Sequence, residues 1–277
     1  SAGDDVAMGH FSSLGYYVSA WIGTIVGKDS KSTEDIKVPE SLGFIRNTTI
    51  STALTMIVIY LIAAVAAGSP FIEGVNAYVF AILSGLKFAV GVAIVYAGVR
   101  MILADLIPAF QGIAGKIIPN AVPAVDCAVF FPYAPTAVII GFISSFIGGI
   151  IGMLVLGATG GVLIIPGLVP HFFCGATAGI YGNSTGGRKG AVIGAFVNGL
   201  LLAFLPALLL PVLGNLGFAN TTFGDVDFAV IGLLIGKIGE LIGNTGIYVL
   251  VAVVVAALIA PSIRKPSEEA INNTYEE

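Results

Sequence analysis

The chain has 277 residues, of which 57% are hydrophobic and only 10% charged, with a net charge of −4 and a mean hydropathy of +1.00. Soluble domains carry roughly 25% charged residues, so the composition excludes an ordinary water-soluble globule and describes a membrane protein. The small negative charge argues against nucleic acid as a partner. Two cysteines, Cys127 and Cys174, lie in apolar context, against a disulfide framework. The first 27 residues lack a basic stretch leading into an apolar one, so no removable signal peptide is predicted. The chain opens Ser1-Ala2-Gly3-Asp4-Asp5 without an initiator methionine, and a fragment or trimmed form of a longer protein is expected.

In chain order, residues 11–26 are weakly amphipathic with aromatic anchors Phe11, Tyr16, Tyr17 and Trp21, which predicts an interfacial or re-entrant helix. A charged linker follows to residue 47. Crossing a bilayer takes about 20 apolar residues, and runs of that kind lie at 48–67, 78–103, 136–158, 164–181, 190–214 and 229–260. The fourth is short and interrupted by Pro166, Pro170, Gly175 and Gly179. The last is overlong, and Gly232, Gly236, Gly239 and Gly243 predict a bent or two-part helix. Between the second and third spans, residues 104–117 set apolar groups at helical spacing beside Asp105, Gln111 and Lys116, the pattern of an interfacial amphipathic helix. The expected fold class is all-α and polytopic, with about six transmembrane helices plus re-entrant and interfacial segments. Its divisions are an interfacial segment and linker (1–47), scaffold-type helices (48–117), a core region (118–181) and the C-terminal helices and tail (182–277).

Basic residues fix an orientation. Lys28, Lys31, Lys37, Arg46, Arg100, Lys116, Arg188, Lys189, Arg264 and Lys265 all fall in alternate connections. The positive-inside rule puts those connections and the C-terminus in the cytoplasm. Lys87 and Lys237 lie inside spans and are expected to snorkel or to pair within the bundle. Gly148-x-x-x-Gly152, Gly190-x-x-x-Gly194 and Gly232-x-x-x-Gly236 permit close helix contact.

The segment Ile118-Pro-Asn-Ala-Val-Pro-Ala-Val-Asp-Cys-Ala-Val-Phe-Phe-Pro-Tyr-Ala-Pro135 is too short and too broken to span, and it carries Asp126 with no basic residue within nine positions. A carboxylate at membrane depth costs a few kcal/mol and persists where it faces a partner, a cavity or a solute. Broken backbone there is tolerated only inside protein or along a cavity, and together the two mark a transport site. Asp126 therefore either binds the hydroxyls of a polar solute, or caps a half-helix or pairs with Lys87 or Arg100. His10 is either a solvated bystander or a solute contact. His171, in a broken span, is either satisfied by a freed backbone carbonyl or functional. Two histidines and two cysteines without pair spacing make no metal motif. Gly182-Asn-Ser-Thr-Gly-Gly-Arg-Lys-Gly190 lacks the order of a phosphate loop and is expected to be a short cytoplasmic turn.

Several stretches together resemble the ascorbate-specific membrane component (enzyme IIC) of the bacterial phosphoenolpyruvate-dependent phosphotransferase system. They are Gly9-His10 with Phe11-Ser-Ser-Leu-Gly-Tyr-Tyr-Val-Ser-Ala-Trp-Ile22, Glu34-Asp-Ile-Lys-Val-Pro39, Asn47-Thr-Thr-Ile-Ser-Thr-Ala53, Gly98-Val-Arg-Met101, Ile118 to Ala128, Ala134-Pro-Thr-Ala137 and Ile164-Ile-Pro-Gly-Leu-Val-Pro170. The resemblance implies two inverted repeats arranged as a dimerising scaffold and a substrate-carrying core, moving like an elevator. Family members are much longer, so the chain corresponds to the C-terminal portion, the second repeat. His10 and Asp126 match substrate-contacting positions, while Phe11 departs from the glutamines that follow the Gly-His pair in the family. The expected substrate-binding set is His10, Phe11, Asp126, Cys127 and Tyr133. The implied partners are an ascorbate-like sugar acid, soluble IIB and IIA subunits, the bacterial inner membrane and a second copy of the chain. No catalytic residue, metal or cofactor is expected, because the phosphoryl donor is a phosphocysteine on the IIB subunit. An ion-coupled secondary transporter using Asp126, or one half of a split transporter, stands as the alternative.

Overall fold

The computed structural model describes residues 7–37, 39, 43–44, 47–68, 70–117, 122–214 and 223–263. The acidic opening (1–6), the first residues of the Asp126 segment (118–121) and the basic tail with Arg264 and Lys265 lie outside the described residues. Nearly all of the remainder is helix. A short strand β1 (Ala7–Met8) leads into α1 (Ser13–Val26) and a 3-10 turn at Thr33–Asp35, followed by α2 (Thr48–Ala67) and α3 (Ala77–Ile117). Strand β2 (Ala124–Val125) and a 3-10 helix at Cys127–Tyr133 precede α4 (Pro135–Thr159). Then come α5 (Leu168–Pro170), a π turn at His171–Gly175, α6 (Ala176–Leu213) and α7 (Val226–Ile263).

Local chemistry sets the helix ends. The Asn47 side chain accepts from the amides of Thr49 and Ile50 and starts α2. Gly160, at φ 71°, closes α4 in the left-handed region that suits glycine. Pro135 opens α4, where a missing amide proton costs nothing. Two further amides of that first turn, on Thr136 and Ala137, donate to the Glu34 carboxylate (3.3 and 2.9 Å). The linker after α1 is thereby tied to the start of α4.

Among the described residues, five helical stretches are long and apolar enough to cross a membrane: Thr48–Ala67, Ala77–Phe110, Pro135–Ala158, Leu168–Leu213 and Val226–Ala260. The fourth has 46 residues. Laid straight it would measure about 69 Å at 1.5 Å per residue, more than twice the roughly 30 Å hydrocarbon core. It does not run straight. Gly186 and Gly187 leave helical geometry, Gly187 with φ 54°, and the backbones of Gly182 and Gly190 touch. The expected fourth and fifth spans are the two arms of this hairpin, and the turn between them is the Gly182–Gly190 sequence. The last span is likewise two-part, and among its four glycines the break falls at Gly243, φ 65°. Residues 104–117 differ from expectation. They continue α3 without a break through Pro108 instead of forming a separate interfacial helix. The preceding residues are already helical, so extending the helix adds a bond per residue without a new nucleus.

Two kinds of packing hold the body together. Where α1, α4 and α6 meet, glycines let backbones approach: Gly23 against Gly182 and Gly186, Gly141 against Gly175 and Gly179, and Gly148 against Phe196 and Gly199. Elsewhere an aromatic cluster does the work. Phe131, Phe142 and Phe172 are fully buried, with Met56 of α2 and, from α3, Phe88 and Tyr96 packed around them. Phe142–Phe172 and Phe131–Phe172 meet edge to face at 5.4 and 5.9 Å.

Candidate solute site

The site is built on the smallest sheet a protein can have. β1 and β2 run parallel, with the Ala7 amide on the Pro123 carbonyl and the Gly9 amide on the Val125 carbonyl, both at 2.9 Å. Gly9 lies flat against Ala124, where a side chain would collide. Each strand ends one or two residues before a polar side chain and then a helical start: Met8 leads to His10 and α1, Val125 to Asp126 and the 3-10 helix. Pairing the strands thus brings two residues 116 positions apart to one place.

Asp126 caps the 3-10 helix, its Oδ1 accepting from the Ala128 amide at 3.0 Å. Capping, one of the two expected roles, is therefore seen, and the same residue borders a cavity. Nδ1 of His10 shares a hydrogen with the Tyr16 hydroxyl at 2.6 Å. Nε2 of His10 faces Oδ1 of Asp225 at 3.8 Å, too far for a hydrogen bond. Oδ1 of Asp225 also accepts from the Ser12 hydroxyl (3.3 Å) and from the Cys174 thiol (3.2 Å). Two residues on, Asp227 accepts from the Ser13 and Leu14 amides at 3.1 and 2.9 Å, the favoured place for an acid at a helix start. Its own amide donates to the Phe11 carbonyl at 2.9 Å. The start of α7 and the start of α1 are therefore clasped together, and the clasp holds Asp225 beside His10.

These groups border a cavity of about 260 Å³. Its polar side chains are His10, Asp126, Cys174 and Asp225, and its apolar walls are Val95, Val169, Pro170 and Phe173. Drug-sized ligands occupy roughly 300–1,000 Å³, so the space suits something smaller. A larger hollow of about 660 Å³ between α2 and α4 is lined by isoleucines, valine, alanine, Phe146 and a single polar side chain, Thr55. It offers an apolar groove and no chemistry.

Of the five residues in the expected substrate-binding set, the structure brings His10 and Asp126 to the cavity. Cys127 is fully buried beside Tyr16 and Thr177, behind Asp126. Phe11 is 61% exposed and packs on Phe228 at 4.8 Å. Tyr133 is exposed at the far end of the 3-10 helix. Neither Phe11 nor Tyr133 is among the residues bordering the cavity. His171 is buried, and its Nδ1 shares a hydrogen with the Ser145 hydroxyl at 2.9 Å. Lys237 pairs with Glu240 at 2.9 Å, and Lys87 is exposed on α3.

Sequence reasoning missed Asp225 and the cavity role of Cys174. A signal existed for the first: Phe223-Gly-Asp-Val-Asp227 places two acids at the mouth of a span, in a connection free of lysine and arginine. For Cys174 there was none, because the π turn that carries it is set by packing.

Long apolar helices around a small polar cavity, bordered by the residues that follow two paired strands and by a folded-back helix, describe a multi-pass membrane protein. The chain matches the family described as PTS system sugar-specific permease component over residues 2–227, and it belongs to that family. It is also similar to the ascorbate-specific PTS system EIIC component of Mycoplasma pneumoniae, 26% identical over 244 residues. That alignment covers 76% of this chain and 36% of the relative, so the chain spans about a third of the relative's length.

Proposed function

We propose that the chain is the solute-binding part of a phosphotransferase permease that takes ascorbate or a related sugar acid. The observation that carries this is the β1–β2 pairing, which sets His10 and Asp126 at one small polar cavity. A carboxylate offers about four lone-pair positions to solute hydroxyls. Asp126, anchored through one oxygen by the Ala128 amide, orients a hydroxyl at the cavity wall. His10, steadied by Tyr16, is the second polar group at that wall. The solute then passes inward, where a soluble IIB subunit, recharged by IIA, transfers a phosphoryl group from its cysteine to that hydroxyl. The added charge prevents return across the membrane and drives accumulation without an ion gradient. The chain itself supplies positioning.

In this scheme α2 and α3 belong to the scaffold of a homodimer, and the re-entrant segments with α4 and α6 to the moving core. The permease sits in the bacterial inner membrane with its C-terminus in the cytoplasm. The order of basic connections supports that orientation. The test is calorimetric titration of ascorbate and related sugar acids into the purified chain. Replacing Asp126 by Asn removes a charge-assisted hydrogen bond, so affinity falls about ten- to a hundred-fold while membrane insertion is retained. Unchanged affinity would remove Asp126 from the site.

A further inference from the structure

The polar wall of the cavity has a composition that an anionic solute does not explain. Two carboxylates, Asp126 and Asp225, border it, and among the described residues no lysine or arginine does. Like charges repel, most strongly where water screens them least, and Asp225 is the more sheltered of the two carboxylates. A positive charge placed between these carboxylates and a sugar acid would favour its binding there.

Three side chains from distant parts of the chain stand where such a charge would be held. An imidazole nitrogen of His10, Sγ of Cys174 and a carboxylate oxygen of Asp225 all lie within 4.8 Å of one another. Sγ of Cys174 is 3.2 Å and Nε2 of His10 3.8 Å from the same Asp225 oxygen. With zinc's usual bonds to nitrogen, oxygen and sulfur, tetrahedral ligand atoms sit about 3.3–3.6 Å apart. Side-chain movements of about 1 Å would close the set, well within rotamer adjustment.

We propose that His10, Cys174 and Asp225 form a site for a divalent transition-metal ion of the zinc type, whose open position faces the cavity and takes oxygens of the solute. The idea of an ion–solute bridge rests on the sugar-acid function proposed above; the ion site rests on the geometry of the three side chains. His10 already has the surroundings of a metal ligand. When Nδ1 carries the proton and donates to the Tyr16 oxygen, the Nε2 lone pair is turned toward Asp225, as outer-sphere partners of zinc-bound histidines arrange it. Cys174 is held at the site by the Ser12 hydroxyl and the Gly224 carbonyl. On binding, the sulfur–hydrogen bond breaks, a sulfur–metal bond forms and the proton leaves to solvent, with no change of oxidation state. Three protein ligands and one open position describe an exchangeable zinc site, not a closed structural one.

The experiment uses the full chain in detergent, stripped with EDTA and kept anaerobic. Zinc alone is titrated by calorimetry, and cadmium alone by the ultraviolet charge-transfer band of a thiolate–metal bond. The expected result is one ion per chain, bound more tightly as pH rises because the thiol proton must leave. Cys174→Ser abolishes the band, Cys127→Ser retains it, and Asp225→Asn weakens zinc about tenfold or more. A band that survives in Cys174→Ser, or zinc affinity unchanged in Asp225→Asn, overturns the site. Ascorbate is then titrated with EDTA and with zinc. Affinity at least about tenfold higher with zinc, worth about 1.4 kcal/mol, supports the bridge. Equal affinity in both overturns the bridge and leaves the permease function standing. One zinc per chain with no sugar acid bound under either condition overturns the solute assignment and leaves the ion site standing.

Discussion

α4 and the folded pair of arms at Leu168–Leu213 bury 44% and 39% of their most apolar windows inside the structure, whereas α2 and α3 each bury 22% and α7 none. All five stretches have similar mean hydropathy, 2.1 to 2.4. Apolar character therefore does not decide which helices pack. In lipid the tails are as apolar as the side chains, so association depends on close van der Waals fit and small residues. The contrast is visible within one residue type. Gly182, Gly190 and Gly199 of α6 press on other backbones, as Gly85 of α3 does on Ile57 of α2, while Gly91, Gly98 and Gly112 farther along α3 have nothing within 4 Å of the place a side chain would take. Ile94, Met101 and Ile102 stand open on the same helix. One region is a closely packed body that holds the cavity's helices; the other presents much of its apolar surface outward.

The largest effect that would test this contrast comes from enlarging a packed glycine. A side chain on Gly199 would drive into the Ser145 carbonyl, which as backbone cannot swing away. Gly199→Leu should cost about 3 kcal/mol or more, seen as loss of a cooperative thermal transition and of monodisperse protein in detergent. A normal melting curve for that variant would mean that α4 and α6 tolerate separation, and close glycine packing would not be what holds them together.

How much of this was legible in the sequence follows the same division. The spans were legible because their apolar runs are long, and four of them match the helices closely: α2, α3 up to its unbroken extension, α4 and α7. The hairpin was legible as two spans joined by a glycine-rich turn. The break at Gly243 was foreseen only as one of four candidates, since which glycine bends depends on neighbours. His10 and Asp126 could be singled out as polar groups at broken backbone, but their meeting depends on a strand pair of two residues each, far below any periodic signal. Asp225 was hidden for another reason. It sits at a helix mouth, where an acid ordinarily needs no further explanation, and only the clasp through Ser12 and Asp227 turns it toward His10.

A moderate effect is expected at the tie between linker and core. Glu34 supplies the acceptor that Ala134, at the start of α4, has no side chain to provide. Glu34→Ala should lower stability by about 1 kcal/mol, the usual worth of a helix-start acceptor, measured as a small fall in melting temperature with zinc and sugar-acid binding unchanged. A fall as large as that of Gly199→Leu would show the linker to be part of the packed body.

The smallest effect should come from the glycine that contacts nothing. Gly98→Leu on α3 adds an apolar side chain to a face with room for it. Such surface changes usually stay within about 0.5 kcal/mol, and leucine is the better helix former by up to roughly 1 kcal/mol. Melting temperature should hold or rise slightly. The same substitution separates two meanings of an open apolar face. If α3 meets only lipid, the variant behaves alike at every protein concentration. If a second copy of the chain covers α3, the added leucine obstructs that contact, and cross-linking of neighbouring chains in the membrane falls while the melting curve of the isolated chain stays put. Whether the residue matters to assembly and not to folding is therefore read by comparing those two measurements on one variant.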